Sequence, residues 1–137
     1  MFLGLSKVFD IIDHKLLIHK WNLYNIVTSW FFSYLSNRFQ QTLYSGAISV
    51  KREVISGVPQ GSVLGPILCL IHVNDLPLSL TETSADIFAD DTTIGAVSHS
   101  KDLVQSLTND LQNVLSWCNS NNMSLNVFKT KLMNIST

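Results

Sequence analysis

Ile87-Phe88-Ala89-Asp90-Asp91-Thr92 sets two adjacent carboxylates inside an otherwise apolar run. Residues 86 to 97 read as strand, tight turn and strand, with Asp90-Asp91 at the turn. Neighbouring carboxylates repel each other, so the pair is costly unless a cation relieves it. Mg²⁺ suits such a place, because it is a hard ion that takes a few carboxylates together with phosphate oxygens. Two such ions can activate a 3′ hydroxyl and stabilise a leaving pyrophosphate. Taken alone, the dipeptide has a plainer reading as a polar turn, since Asp is common in turns.

Upstream lies Ser56-Gly57-Val58-Pro59-Gln60-Gly61-Ser62-Val63-Leu64-Gly65-Pro66. Its glycines let the backbone approach a ligand closely, and Gln60 offers both a donor and an acceptor. An ordinary Gly/Pro-rich connection is the alternative. A helix follows from Pro66 to Asn74, with Pro at its start, where a missing N–H costs nothing. Further upstream, Phe2 to Phe9 reads as a short strand, and Asp13 as the cap of a helix through Leu16, Leu17 and Trp21. A second helix covers Thr28 to Leu35 and ends at Asn37-Arg38. Thr42 to Tyr44 and Ile48 to Ile55 read as a hairpin turned at Ser45-Gly46.

Downstream, Asp102 to Asn119 is an amphipathic helix. Leu103, Leu107, Leu111, Val114, Leu115 and Cys118 recur along it at spacings of three and four. Ser100 is its N-cap and Asn121-Asn122 its end, and a closing strand spans Leu132 to Ile135. Strands alternating with helices in this order predict an α+β fold over residues 1–137, an antiparallel sheet with helices on one face. A ferredoxin-like β-α-β-β-α-β core is the natural candidate.

A length of 137 residues suits one domain. The net charge of −1 gives no overall pull toward nucleic acid, so binding by the isolated chain is expected to be weak. Cys69 and Cys118 have no partner at metal-ligand spacing and read as buried reduced thiols. With no signal peptide and no membrane-spanning run, the expected setting is intracellular, away from membranes.

Together these blocks resemble the reverse transcriptases of non-LTR, LINE-like retrotransposons. The loop from Ser56 to Pro66 and the Phe88-Ala89-Asp90-Asp91-Thr92 turn resemble motifs B and C of that family. Leu5-Ser6-Lys7-Val8-Phe9-Asp10, with Asp13-His14 after it, resembles motif A, usually written D-L-S-K-A-F-D-x-x-D-H. Leu115 to Cys118 and Met123 to Lys131 resemble the motif D region. The resemblance implies a polymerase palm acting on an RNA template, a DNA primer and deoxynucleoside triphosphates with Mg²⁺. It makes Asp90 and Asp91 metal-binding carboxylates and Phe9 a steric gate under the incoming sugar. Gln60 and Gly61 line the nucleotide and template pocket, and Lys129 protonates the leaving pyrophosphate. The residues alone leave Phe9 open as a core aromatic and Lys129 as a surface lysine.

One departure bears on activity. The family's motif A opens with an aspartate that bridges both metals, and here that position is Gly4. At ~3.3 Å per residue of extended chain, Asp10 would stand up to ~20 Å further on, and Asp13 beyond it, so neither substitutes. The fingers, the thumb and an endonuclease domain are expected to be missing. The reading is therefore an inactive palm, with a non-catalytic RNA-binding or partner-docking module, or a functionless transposon relic, as alternatives.

Overall fold

The computed structural model describes residues 1–20, 25–88, 91–97 and 103–135. Trp21, Ala89, Asp90, Ser100 and Asp102, named above, lie outside them.

Three strands form an antiparallel sheet: β1 (Phe2–Gly4), β6 (Ser84–Phe88) and β7 (Asp91–Gly95), in the order β1-β7-β6. Alternation gives the sheet two unlike sides. Leu3, Thr92 and Ile94 are buried on one, with Ala85 and Ile87 partly buried beside them. Phe2, Asp91, Phe88 and Asp86 occupy the other, which is largely exposed. The apolar side shares one buried cluster with Leu68, Cys69 and Val73 of α4 (Gly65–Val73) and with Val114, Trp117 and Cys118 of α5 (Leu103–Ser120). Helix and antiparallel sheet are thus mixed as expected. No helix among the described residues is long and apolar enough to cross a membrane.

Several boundaries differ from the sequence expectation. The first strand stops at Gly4 rather than Phe9. Lys7 adopts a left-handed backbone (φ 47°) and starts the short helix α1 (Val8–Ile11), so Val8 is buried by a helix and not by the sheet. Asp10 therefore lies on a compact turn, and the extended-chain distance given above overstates its separation from Gly4, because a helix rises only ~1.5 Å per residue. Helices α2 (His14–Lys20) and α3 (Asn25–Leu35) follow, with Asn37 left-handed just past the second. The hairpin does turn at Ser45-Gly46, but it is longer and interrupted. β2 (Phe39–Gln40) pairs with β5 (Arg52–Glu53), and β3 (Leu43–Tyr44) pairs with β4 (Ala47–Ile48). Ser49 breaks the ladder, its hydroxyl accepting from Thr42 N at 2.9 Å. Residues 132–135 form no strand. Lys131 bridges back to Phe2, and Leu125 to Leu5.

On α5, Val114 and Cys118 are buried and Leu107 and Leu111 pack against the core as expected, whereas Leu115 is half-exposed and Asp110 and Trp117 are buried beside them. Asp110 is fully buried, and its carboxylate accepts from the backbone N–H groups of Thr81, Glu82 and Thr83 and from both threonine hydroxyls, at 2.7 to 3.0 Å. Burial alone would raise its pKa. The Thr81 N–H and the Thr83 hydroxyl, with the other donors, outweigh that and hold the carboxyl well below the usual range.

At the back of the core, Lys20 Nζ donates to Asp75 Oδ1 at 2.6 Å and to the His72 carbonyl, and Trp117 Nε1 donates to the same Asp75 oxygen. The His72 ring is fully buried, and neither of its nitrogens has a hydrogen-bond partner among the described residues. Burial, and then the nearby Lys20 charge, push its pKa down to about 4.

Candidate functional site

Register decides which side chains meet on the open side of the sheet. Gly4 lies opposite Asp91, and Asp91 lies opposite Phe88 on the other flank. Directly paired residues project to the same side. Position 4, Asp91 and Phe88 therefore form one row, with Asp91 central and both it and Phe88 exposed. A side chain at position 4 would put its Cβ ~5 Å from that of Asp91. Gly4 has none, and its place is taken. A Cβ built there would overlap the Lys129 Cβ and lie 3.3 Å from the Lys129 carbonyl carbon.

The turn that brings Lys129 there is tied to β1. Asn126 N donates to the Gly4 carbonyl at 2.6 Å, and Gly4 N donates to Thr130 Oγ1 at 3.3 Å. The Asn126 side chain caps the turn by accepting from Phe128 N and Lys129 N. Asp90 lies outside the described residues, so Asp91 alone of the two adjoining acids is placed. Among the described residues no three metal-ligating side chains converge.

A second group gathers around the loop after β5. A cleft of about 610 Å³ is lined by Phe9, Asp10, His14 and Gln60, with Arg38 and Glu53 from the hairpin arm. The loop is bound to the α1 segment at several points. Gly57 N donates to Ile12 O at 2.8 Å, and Val58 N to Phe9 O at 2.7 Å. The His14 ring Nε2 stands 2.7 Å from the Gly57 carbonyl, which can only accept, so that nitrogen carries the proton. Gln60 Nε2 donates to Asp10 Oδ1 at 2.8 Å.

Gly57 is required here. Its φ is 79°, and a Cβ would come within 2.7 to 2.9 Å of the Phe9 and Asp10 backbone. Gly61 is also left-handed (φ 76°) but open, with nothing within 4 Å of where its Cβ would be. Asp13 caps α2. The Leu16 N–H and, after burial has worked the other way, the Lys15 N–H lower its pKa.

Phe9 and Gln60 thus share the cleft, while Asp91 and Lys129 meet position 4 on the sheet. Asp91 is not among the cleft's lining residues, and the two places are joined along the chain through Leu5 to Val8. Sequence reasoning gave no role to Asp10 and His14 as loop partners. The signal was present in the D-x-x-D-H string, whose polar members recur one helical turn apart. Arg38 and Glu53 carried no such signal, because the hairpin arm brings them to the cleft from a distance.

A family model described as reverse transcriptase (RNA-dependent DNA polymerase) matches residues 1–136. The chain belongs to the reverse transcriptase family. This reverse transcriptase chain is 30% identical over 145 residues to the RNA-directed DNA polymerase from mobile element jockey of Drosophila melanogaster, covering 93% of the chain and 15% of that protein. It is 28% identical over 144 residues to the probable RNA-directed DNA polymerase from transposon BS of the same fly, covering 95% of the chain and 16% of the relative. Over a shorter stretch of 45 residues it is 47% identical to the probable RNA-directed DNA polymerase from transposon X-element, also of Drosophila melanogaster, covering 33% of the chain and 5% of that protein. The chain therefore spans about a sixth of the length of the two relatives that it matches along most of its own length.

Proposed function

We propose that this chain is the palm segment of a non-LTR retrotransposon reverse transcriptase, with a metal centre one carboxylate short and no nucleotidyl transfer of its own. The sheet β1-β7-β6, backed by α4 and α5, corresponds in this reading to the ferredoxin-like palm. Asp90 and Asp91 are the retained metal-binding acids, and Phe9 is the gate beneath the incoming sugar. Gln60 and Gly61 face nucleotide and template, and Lys129 is the proton donor to pyrophosphate. RNA template, DNA primer and deoxynucleoside triphosphates are the partners of the intact enzyme.

The observation that carries the inactivity is the row Gly4, Asp91, Phe88. A bridging carboxylate belongs beside Asp91, where this chain has no side chain and where Lys129 already fills the space. With Gly4 in the bridging place, the described residues do not fit a pair of Mg²⁺ ions. Loss of one group that stabilises transition-state charge lowers rates by roughly a hundredfold to a thousandfold, and a bridging metal ligand is a severe case.

Primer extension on an RNA template with Mg²⁺ or Mn²⁺ tests this. The chain should incorporate no more nucleotide than its Asp90→Ala/Asp91→Ala double variant, and incorporation clearly above that control refutes the proposal. Mn²⁺ binding followed by paramagnetic resonance gives a second readout. Two tightly held ions per chain would show that the centre is complete.

A further inference from the structure

We propose that Asp10 is a positioning residue that sets which end of the Gln60 side-chain amide faces a bound nucleotide. The inference rests on the reading of the cleft as a nucleotide site, and it concerns a residue with no role in that reading so far.

An ionised carboxylate can only accept hydrogen bonds. The 2.8 Å contact between Gln60 and Asp10 Oδ1 therefore has one orientation, with the amide nitrogen toward Asp10. The amide oxygen is then turned away and has no partner among the described residues. Gln60 presents an acceptor, which suits a hydrogen-bond donor on the nucleotide: a sugar hydroxyl or a base amino group. Without Asp10 the amide could turn over and present its NH₂ instead, and the preference would be lost.

Asp10 does not hold the loop itself. The loop backbone is tied by Gly57 N to Ile12 O and Val58 N to Phe9 O, and by the His14 ring to Gly57 O. Asp10 and Gln60 are both exposed, and an exposed hydrogen bond adds little to stability. Its consequence is orientation, so removal of the carboxylate should change the amide and leave the loop in place.

The test compares the full chain with Asp10→Ala, Asp10→Asn and Gln60→Met by ¹⁵N–¹H spectra. The Gln60 side-chain amide is identified by the signal that Gln60→Met removes. In the parent its two protons are inequivalent, one bonded to a carboxylate and one free. In Asp10→Ala they should draw together toward free-amide values, with the backbone signals of residues 57–58 and the melting temperature unchanged. In Asp10→Asn the separation should shrink in part, since the Asn amide can donate to the Gln60 oxygen as well as accept from its nitrogen.

A second arm titrates a deoxynucleoside triphosphate in the presence of primer–template. Affinity should fall about tenfold in Asp10→Ala and in Gln60→Met, as for loss of one hydrogen bond, and no further in the double variant. An unaltered Gln60 amide in Asp10→Ala overturns the proposal, as do losses that multiply in the double variant. Unfolding of Asp10→Ala also overturns it, because the carboxylate is assigned no part in holding the loop. A parent chain that binds no nucleotide would count against the reading of the cleft, and the amide spectra would still decide the orientation.

Discussion

Replacing Asp110 by Asn should destabilise the chain by about 3 kcal/mol, although the change removes no volume and lies far from the cleft. The carboxylate accepts five hydrogen bonds from residues 81–83 at 2.7 to 3.0 Å. An amide has one oxygen to offer where the carboxylate had two. The threonine hydroxyls can rotate to accept from the new NH₂, but a backbone N–H cannot. At least one buried N–H is left facing a donor, at a cost of about 1–3 kcal/mol, and the remaining bonds lose their charge assistance, about half their strength. Against a total stability of about 5–15 kcal/mol, a loss of ~3 kcal/mol is large, and it corresponds to roughly a 10 °C lower melting temperature. Urea unfolding followed by circular dichroism measures it, and Asp110→Ala should fall further. Because the folded pKa is held below the ordinary 3.8, the same stabilisation is present above that pH and fades as the solution is acidified below it. A midpoint for Asp110→Asn within about 1 kcal/mol of the parent would sink the argument that this carboxylate anchors the start of β6.

Three further outcomes are expected. His72 is held neutral in the fold at a pKa of about 4 against an ordinary 6.5, so the unfolded chain takes up a proton first as pH falls. Stability should be full above pH 6.5 and decline toward pH 4 by about 3 kcal/mol, a slope that His72→Leu should flatten in pH-dependent urea titrations. Gly57→Ala should cost at least about 2 kcal/mol by denaturation, because it adds contact with the Phe9 and Asp10 backbone to an unfavourable left-handed φ, whereas Gly61→Ala should cost only about 1 kcal/mol. Gly4→Asp should restore no primer extension and should destabilise by about 1–3 kcal/mol through crowding with Lys129, and adding Lys129→Gly should recover most of that loss in a double-mutant cycle.

Much of this arrangement was legible from local pattern. The strand pair around the acidic dipeptide, the helix opened by Pro66 and the long helix ending at Asn121-Asn122 all rest on short-range chemistry, and all are present. What failed depended on partners far away in the chain. Val8 and Phe9 look like strand residues, yet a left-handed Lys7 turns them into a helix. Residues 132–135 are apolar enough for a strand but find no edge to pair with. Asp110 drew no reading from the sequence, since nothing near it in the chain shows that three backbone N–H groups converge on it. At the site, the absence of an acid at position 4 was visible in the sequence. The occupation of that space by Lys129 was not, because it follows from how residues 126–130 fold over β1.

β1 has a consequence for how the molecule comes into being. One of its edges is paired with β7, and the other is stitched to residues 124–131 by bonds from Ser6 N to Ser124 O, from Asn126 N to Gly4 O and between Phe2 and Lys131. Residues 2–6 thus find their backbone pairing partners only in segments that emerge from a ribosome much later. They must wait, unpaired, until β7 (Asp91–Gly95) has been made, and on the other edge until residues 124–131 follow, and closing so long a loop is slow. During that interval, an extended apolar segment is open to mispairing with a neighbouring nascent chain, and a chaperone that shields it should raise the yield of folded molecules.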